Sequence, residues 1–137
     1  MIKRLTEPHE IVEIMKIEDN VEALFPCSRS EWVQWLMRAV LDNNLLILGS
    51  YNENNDLDGY AIARNNIFPP LSDHVYIMYV YAPKMLKDLD EGIRMIEAWA
   101  KKLGARKIRF ATSKALVGKL HRFKETGLIV MEKIIDG

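Results

Sequence analysis

Four side chains that could take part in proton transfer fall within eight residues of one another: His74, Tyr76, Tyr79 and Tyr81. His74 has the titration range of a general base near neutral pH. It also stands at the start of an apolar run, just after a proline-rich stretch, which is an ordinary place for a strand-end histidine. Tyr79 and Tyr81 lie two apart, so on a strand they share a face. They read as candidate acid–base groups or as packing aromatics. A second group follows closely. Lys87-Asp88-Leu89-Asp90-Glu91-Gly92 sets a cation, three carboxylates and a glycine around a helix start. Unpaired N–H groups at such an end attract anions. The carboxylates also have a structural use there, since each complements the helix dipole by about 0.3–1 kcal/mol.

Other reactive side chains form no such group. Cys27 follows Pro26 near a helix start, a setting used by reactive thiols. No histidine lies beside it in sequence, so it reads as a small buried hydrophobe. As the single cysteine it excludes an internal disulfide. His9, His74 and His121 lack metal-ligand spacing, and no metal is expected. Trp32, Trp35 and Trp99 fall on helical stripes and are simplest as core.

The element that positions the first group is a strand from His74 to Ala82, ended by Pro83. Its aromatic, β-branched and apolar residues do not alternate strictly with polar ones, which predicts a central strand covered on both faces. The element that positions the second is a helix with Asp88 as N-cap and Glu91 as its capping-box partner. Ile93, Ile96, Ala100 and Leu103 recur at helical spacing, widened by Met95 and Trp99. Lys101, Lys102 and Gly104 close it.

The rest of the chain supplies further elements. Ile2 to Leu5 is an edge-strand candidate. Thr6-Glu7-Pro8 opens a helix, with Thr6 as cap and Pro8 in the first turn, carried by Ile11, Ile14 and Met15 to about Asn20. Ser28-Arg29-Ser30-Glu31 is a capping-box pattern before a helix with Trp32, Trp35, Leu36, Ala39 and Val40 on one stripe. Leu45 to Tyr51 and Gly59 to Asn65 read as a hairpin around the polar loop Asn52–Asp58. Residues Asn66 to Asp73, with Pro69-Pro70, are expected to be a loop. Lys107 to Ser113, Leu116 to Thr126 and Leu128 to Ile135 predict strand, helix and strand. The order β-α-α-β-β-β-α-β-α-β predicts an α/β (α+β) fold, a largely antiparallel sheet with helices on both faces.

The chain has 137 residues, of which 49% are hydrophobic and 28% charged. That suits one soluble domain over residues 1–137, with a cytoplasmic location as the default. No apolar run is long enough for a membrane span and no leader is evident. The zero net charge is unevenly spread. Residues 1–100 carry 9 Lys/Arg against 16 Asp/Glu, and residues 101–137 carry 10 against 3. This is either a solvated surface of two attracting halves or a basic face for a phosphate or an acidic partner.

The element order and three passages resemble the GNAT (GCN5-related N-acetyltransferase) superfamily over nearly the whole chain. MYVYAP (78–83) is similar to the family's fourth strand and its Val-x-x-Pro-like turn. WAKKLGARKIRF (99–110) resembles its helix–Gly–strand passage, and HRFKETGLIVM (121–131) its closing one. In the family, the turn after the fourth strand reads Arg/Gln-x-x-Gly-x-Gly/Ala and holds the pyrophosphate of acetyl-CoA on bare N–H groups. The resemblance puts Lys87 at its first place and Gly92 at its last, with one extra residue after Pro83. Asp90 stands where the middle glycine would be. A carboxylate about 4 Å from a phosphate charge costs roughly 4 kcal/mol at a surface-like dielectric. The resemblance also implies that N–H groups around Val80 polarise a thioester carbonyl. A tyrosine that often protonates the leaving thiolate is matched by Phe123, which has no hydroxyl. Lys119, Arg122 and Lys124 would lie near CoA, or form a solvated face.

Two readings follow. One is an acyl-CoA-dependent N-acyltransferase, with catalytic candidates His74 and Tyr79, cofactor contacts from Val80, Lys87, Asp90 and Gly92, and a small-molecule or peptide amine as acceptor. The other is a catalytically inactive GNAT-fold binding or assembly protein with a protein partner or homo-oligomer, such as a virion-associated phage protein. Nucleic-acid contact by residues 101–124 is disfavoured by the zero net charge and the lack of an interleaved aromatic motif.

Overall fold

A computed structural model describes residues 1–17, 26–81, 89–111, 126 and 131–134. Within them the chain forms β1 (Ile2–Arg4), α1 (Pro8–Ile17), α2 (Arg29–Ala39), β2 (Leu45–Tyr51), β3 (Leu57–Phe68), β4 (Ser72–Tyr81), α3 (Leu89–Leu103) and β5 (Lys107–Phe110). The sheet order follows the chain, β1-β2-β3-β4-β5. Every pairing is antiparallel except β4 with β5, which is parallel. This is the expected mixed, largely antiparallel sheet. The expected closing helix, with Phe123, lies outside the described residues but for Thr126, which is not helical, and Pro83, Lys87 and Asp88 lie outside them too. Of the expected strand Leu128 to Ile135, residues 131–134 are described, and they are exposed and form no strand.

The helices start and stop where local chemistry directs. Pro8 opens α1, where its missing N–H costs nothing. Thr6 was expected to cap it, but the acceptor is Glu10. Glu10 Oε1 takes the N–H of Thr6 and of Glu7, each at 3.0 Å. Its other oxygen pairs with Lys3 Nζ at 2.9 Å, tying α1 to β1. At α2 the full capping box is present: Ser28 Oγ accepts from Glu31 N and Glu31 Oε1 from Ser28 N, each at 3.2 Å. Helix α3 ends in a Schellman motif. Gly104 has φ +87°, and its N–H and that of Ala105 donate to the carbonyls of Lys101 and Ala100.

Two cores sandwich the sheet. On one face α1 and α2 bury Ile11, Ile14, Trp32 and Leu36 against Leu5, Ile47, Tyr60 and Ile62. On the other, α3 buries Ile96, Trp99 and Ala100 against Leu46, Leu48, Ala63 and Val75. Strand alternation divides β2 and β3 between these faces, which is why their runs look continuously apolar. The α1/α2 side is tightly closed at Gly49, where a Cβ would come within 2.8 Å of Leu57 Cδ1.

The stretch from Asn66 to Asp73 differs from its expected loop. Strands β3 and β4 form one long hairpin, with Phe68 opposite Ser72 and Asn66 opposite His74. The proline restriction applies to ladder donors, and Pro69 and Pro70 stand in the turn itself, where no ladder N–H is needed. β4 therefore begins two residues before His74.

Candidate functional site

Strand β4 carries a register break that sets the geometry of the site. Ile77 stands opposite Ala63, while Tyr79 stands opposite Ile62, so Met78 is the extra residue of a β-bulge. In a regular strand with no bulge, Val75, Ile77, Tyr79 and Tyr81 would share one face. With it, Val75, Ile77 and Val80 go with Ala61, Ala63 and Asn65 on the α3 face. His74, Tyr76, Tyr79 and Tyr81 go with Tyr60, Ile62, Arg64 and Asn66 on the other. A bulge has no composition signature of its own here, so the alternation of the strand gave no warning of it.

The same region is where β4 and β5 part company. The parallel ladder joins His74 to Lys107, Val75 to Ile108, Tyr76 to Arg109 and Ile77 to Phe110. Among the described residues, Tyr79, Val80 and Tyr81 pair with β3 alone. The expectation of a strand covered on both faces holds for His74 and Val75, which are buried. It fails past the bulge, where Met78 is 38% and Val80 41% exposed. Among the described residues, this partly exposed apolar stretch lies where β5 stops, which makes it a candidate place for a ligand.

Val80 looks into a cleft between the sheet and the first turns of α3. Leu48, Ala61, Ile77 and Val80 form its floor, and Gly92 and Ile93 its roof, around a cavity volume of about 70 Å³. Gly92 thus meets Val80 at one site. A Cβ built on Gly92 touches nothing within 4 Å, so the helix backbone stands clear of packing there. Asp90 and Glu91 lie in the first turn of α3. Asp90 is exposed, and Glu91 Oε1 accepts the Ile2 N–H at 3.4 Å, turned toward β1.

Tyr79 belongs to an aromatic group on the opposite face. Its ring meets Trp32 edge-on at 6.1 Å and Tyr60 at 5.5 Å; Tyr81 lies 6.0 Å from Tyr60. Trp32 in turn stacks on Trp35 at 5.3 Å. Sequence reading assigned these tryptophans to the core and missed that they meet the β4 tyrosines. The signal was the capping box at Ser28, which fixes the phase of α2.

His74 sits at the other end of β4, five residues from Tyr79, roughly 16 Å along the strand. It is buried, with Nε2 2.8 Å from Asn66 Nδ2 and Nδ1 3.0 Å from Ser72 Oγ. Ser72 Oγ also donates to the Asn66 carbonyl. With that proton committed, His74 Nδ1–H donates to Ser72 and Nε2 accepts from Asn66: a neutral imidazole with both nitrogens engaged. Burial pushes its pKa below the ordinary histidine value, and Arg109, Lys107 and Arg64 push the same way against Asp73. The structure therefore separates His74 from Tyr79, Val80 and Gly92. Cys27 is half-buried beside the α1/α2 core. Among the described residues, no three His, Cys, Asp or Glu side chains converge on a metal site, and no helix is long and apolar enough to cross a membrane.

No family model and no curated protein matches the sequence. Solved structures do match the fold. An aminoglycoside 6'-N-acetyltransferase of Acinetobacter baumannii, AAC(6')-Ih, superposes with a TM-score of 0.74 at 15% identity, over 100% of this chain and 99% of that one. AAC(6')-Iy, solved with the bisubstrate analogue CoA-S-monomethyl-acetylneamine, gives 0.72 at 15%, over 99% and 98%. A Clostridium acetobutylicum protein described as a predicted acetyltransferase, solved with acetyl-CoA, gives 0.68 at 18%, over 97% and 96%. The chain has the GNAT fold.

Proposed function

We propose that this protein is an N-acyltransferase that takes its acyl group from an acyl-CoA and passes it to a small-molecule amine. The observation that carries this reading is the coincidence of three features at one place. The bulge at Met78 turns Val80 toward α3, the β5 ladder ends at Ile77, and the start of α3 faces the same opening with Gly92 unobstructed. A thioester lying along the end of β4, past the described β5 ladder, would meet backbone N–H groups near Val80, and its phosphates would meet the N-terminal end of α3. Neighbours of the same fold whose descriptions name CoA, acetyl-CoA or aminoglycosides support the donor and acceptor classes.

The reaction is direct. The neutral amine attacks the thioester carbonyl, a C–N bond forms, the C–S bond breaks, and the surplus amine proton ends on the CoA thiolate. We assign its passage to water. His74 is engaged and distant, and Tyr79 is built into an aromatic contact set, so both act structurally. The acceptor approaches on the face of Tyr79 and Tyr81, opposite the cleft lined by Val80. Glu91 is held toward β1, which leaves Asp90 as the one described first-turn carboxylate positioned to oppose a phosphate.

The test is thiol release from acetyl-CoA in the presence of a panel of amines, aminoglycosides among them, with acetyl-CoA binding measured alongside. Amine-dependent release supports the reading. Absence of both binding and release overturns it and returns the inactive assembly protein, whose motivation is the acidic first turn of α3.

A further inference from the structure

The cleft beneath α3 is larger and drier than an acetyl group needs. Its floor residues Leu48, Ala61, Ile77 and Val80 and its roof residue Ile93 expose almost only carbon to it. Water in such a space finds few hydrogen-bond partners, so the space favours an apolar occupant. The void comes from small residues at facing positions. Ala61 stands opposite Val80 in the ladder, and Gly92 faces them from the helix with nothing within 4 Å of its absent side chain. At Gly49, on the other face of the same sheet, a Cβ would come within 2.8 Å of Leu57 Cδ1, so packing at that position is close. Val80, 41% exposed, stands between the open stretch of β4 and this cleft.

We propose that the cleft is an acyl-chain pocket, so that the preferred donor is an acyl-CoA longer than acetyl. This rests on the donor reading above. A volume of about 70 Å³ holds roughly five water-sized groups, which matches the tail of a hexanoyl chain. Ala61 sets the depth of the pocket and Ile93 its roof.

The experiment is calorimetric titration of the full chain with CoA, acetyl-CoA, butyryl-CoA and hexanoyl-CoA. Affinity is expected to rise by about fourfold for each added methylene, and to level off beyond hexanoyl. Ala61→Ile is expected to flatten the series, and Ile93→Ala to extend it to longer chains. A wild-type series that is flat from acetyl to hexanoyl, with acetyl-CoA still binding, overturns the pocket and leaves the donor reading intact. A rise that persists unchanged in both variants overturns its location. Failure of every CoA species, free CoA included, overturns the donor reading and the pocket with it.

Discussion

Tyr79 meets Trp32 edge-on, with ring centroids 6.1 Å apart and planes at 83°. The contact joins the fourth strand to the second helix, and it depends on the bulge that takes Met78 out of the alternation of β4. It also bears on chemistry, because a ring held on two sides is a wall before it is an acid. Tyr79→Phe keeps the ring and loses the hydroxyl. We expect its kcat/KM for amine acylation to stay within about twofold of wild type and Tyr79→Ala to lose about 2 kcal/mol of stability. A tenfold fall in kcat for the phenylalanine variant would show that the phenol handles a proton.

The bulge itself can be removed. Deleting Met78 places Tyr79 directly after Ile77, so plain alternation keeps Tyr79 and Tyr81 opposite Ile62 and Tyr60, and Val80 opposite Ala61. The aromatic group on the α2 side keeps its strand partners. We expect a change of no more than about 1 kcal/mol, read as a small shift in thermal midpoint by circular dichroism. A loss of about 3 kcal/mol or more would mean that the deletion slips the pairing with β3 instead of removing the bulge.

Gly92 separates stability from binding. Its position lies inside α3 with open space at the missing Cβ. Gly92→Ala should therefore stabilise the unliganded protein by about 0.5–1 kcal/mol, the usual gain from removing a helix glycine. The same methyl would crowd a ligand in the cleft, so acetyl-CoA affinity should fall at least threefold. Differential scanning calorimetry with and without ligand reads both. A stabilised variant with undiminished affinity would move the ligand away from Gly92.

Two groups make stability depend on pH in the same direction. Burial raises the Glu10 carboxyl, but the hydrogen bond from Lys3 and those from Thr6 and Glu7 outweigh it, and its pKa ends below 4.5. A carboxyl lowered in the fold contributes stability above its unfolded value and loses it as pH falls through the folded one. His74, lowered from 6.5, is neutral in both states at high pH; below 6.5 the unfolded chain takes the proton first, and stability declines. Urea titrations should show one decline beginning near pH 6.5 and a second below pH 4.5. His74→Gln should remove the first and Glu10→Gln the second. Retention of the upper decline in His74→Gln would assign it to another group.

Much of the fold could be read from residues whose local chemistry admits one outcome. Ser28 with Glu31, Gly104 after Lys101-Lys102, and the apolar run Leu45–Tyr51 each gave an element in its observed place. Pro69-Pro70 misled because sequence does not say whether a proline stands in a ladder or in the turn between two. The site was less legible. Tyr79 was named for its phenol and Val80 from a resemblance, but the bulge that decides which face each takes is a matter of pairing with β3, which no local pattern encodes. His74 has the type of a base and the surroundings of a structural residue. The burial of its ring and the nearness of Asn66, across the hairpin, and of Ser72 distinguish them.

The central claim is that the opening between β4 and α3 receives an acyl-CoA. Titration of the purified protein with acetyl-CoA, by calorimetry with a parallel thermal melt, tests it most directly. The account predicts a micromolar dissociation constant, with stabilisation of about 2.7 kcal/mol at a hundredfold excess over that constant. Neither heat nor any shift in midpoint at millimolar acetyl-CoA would contradict it.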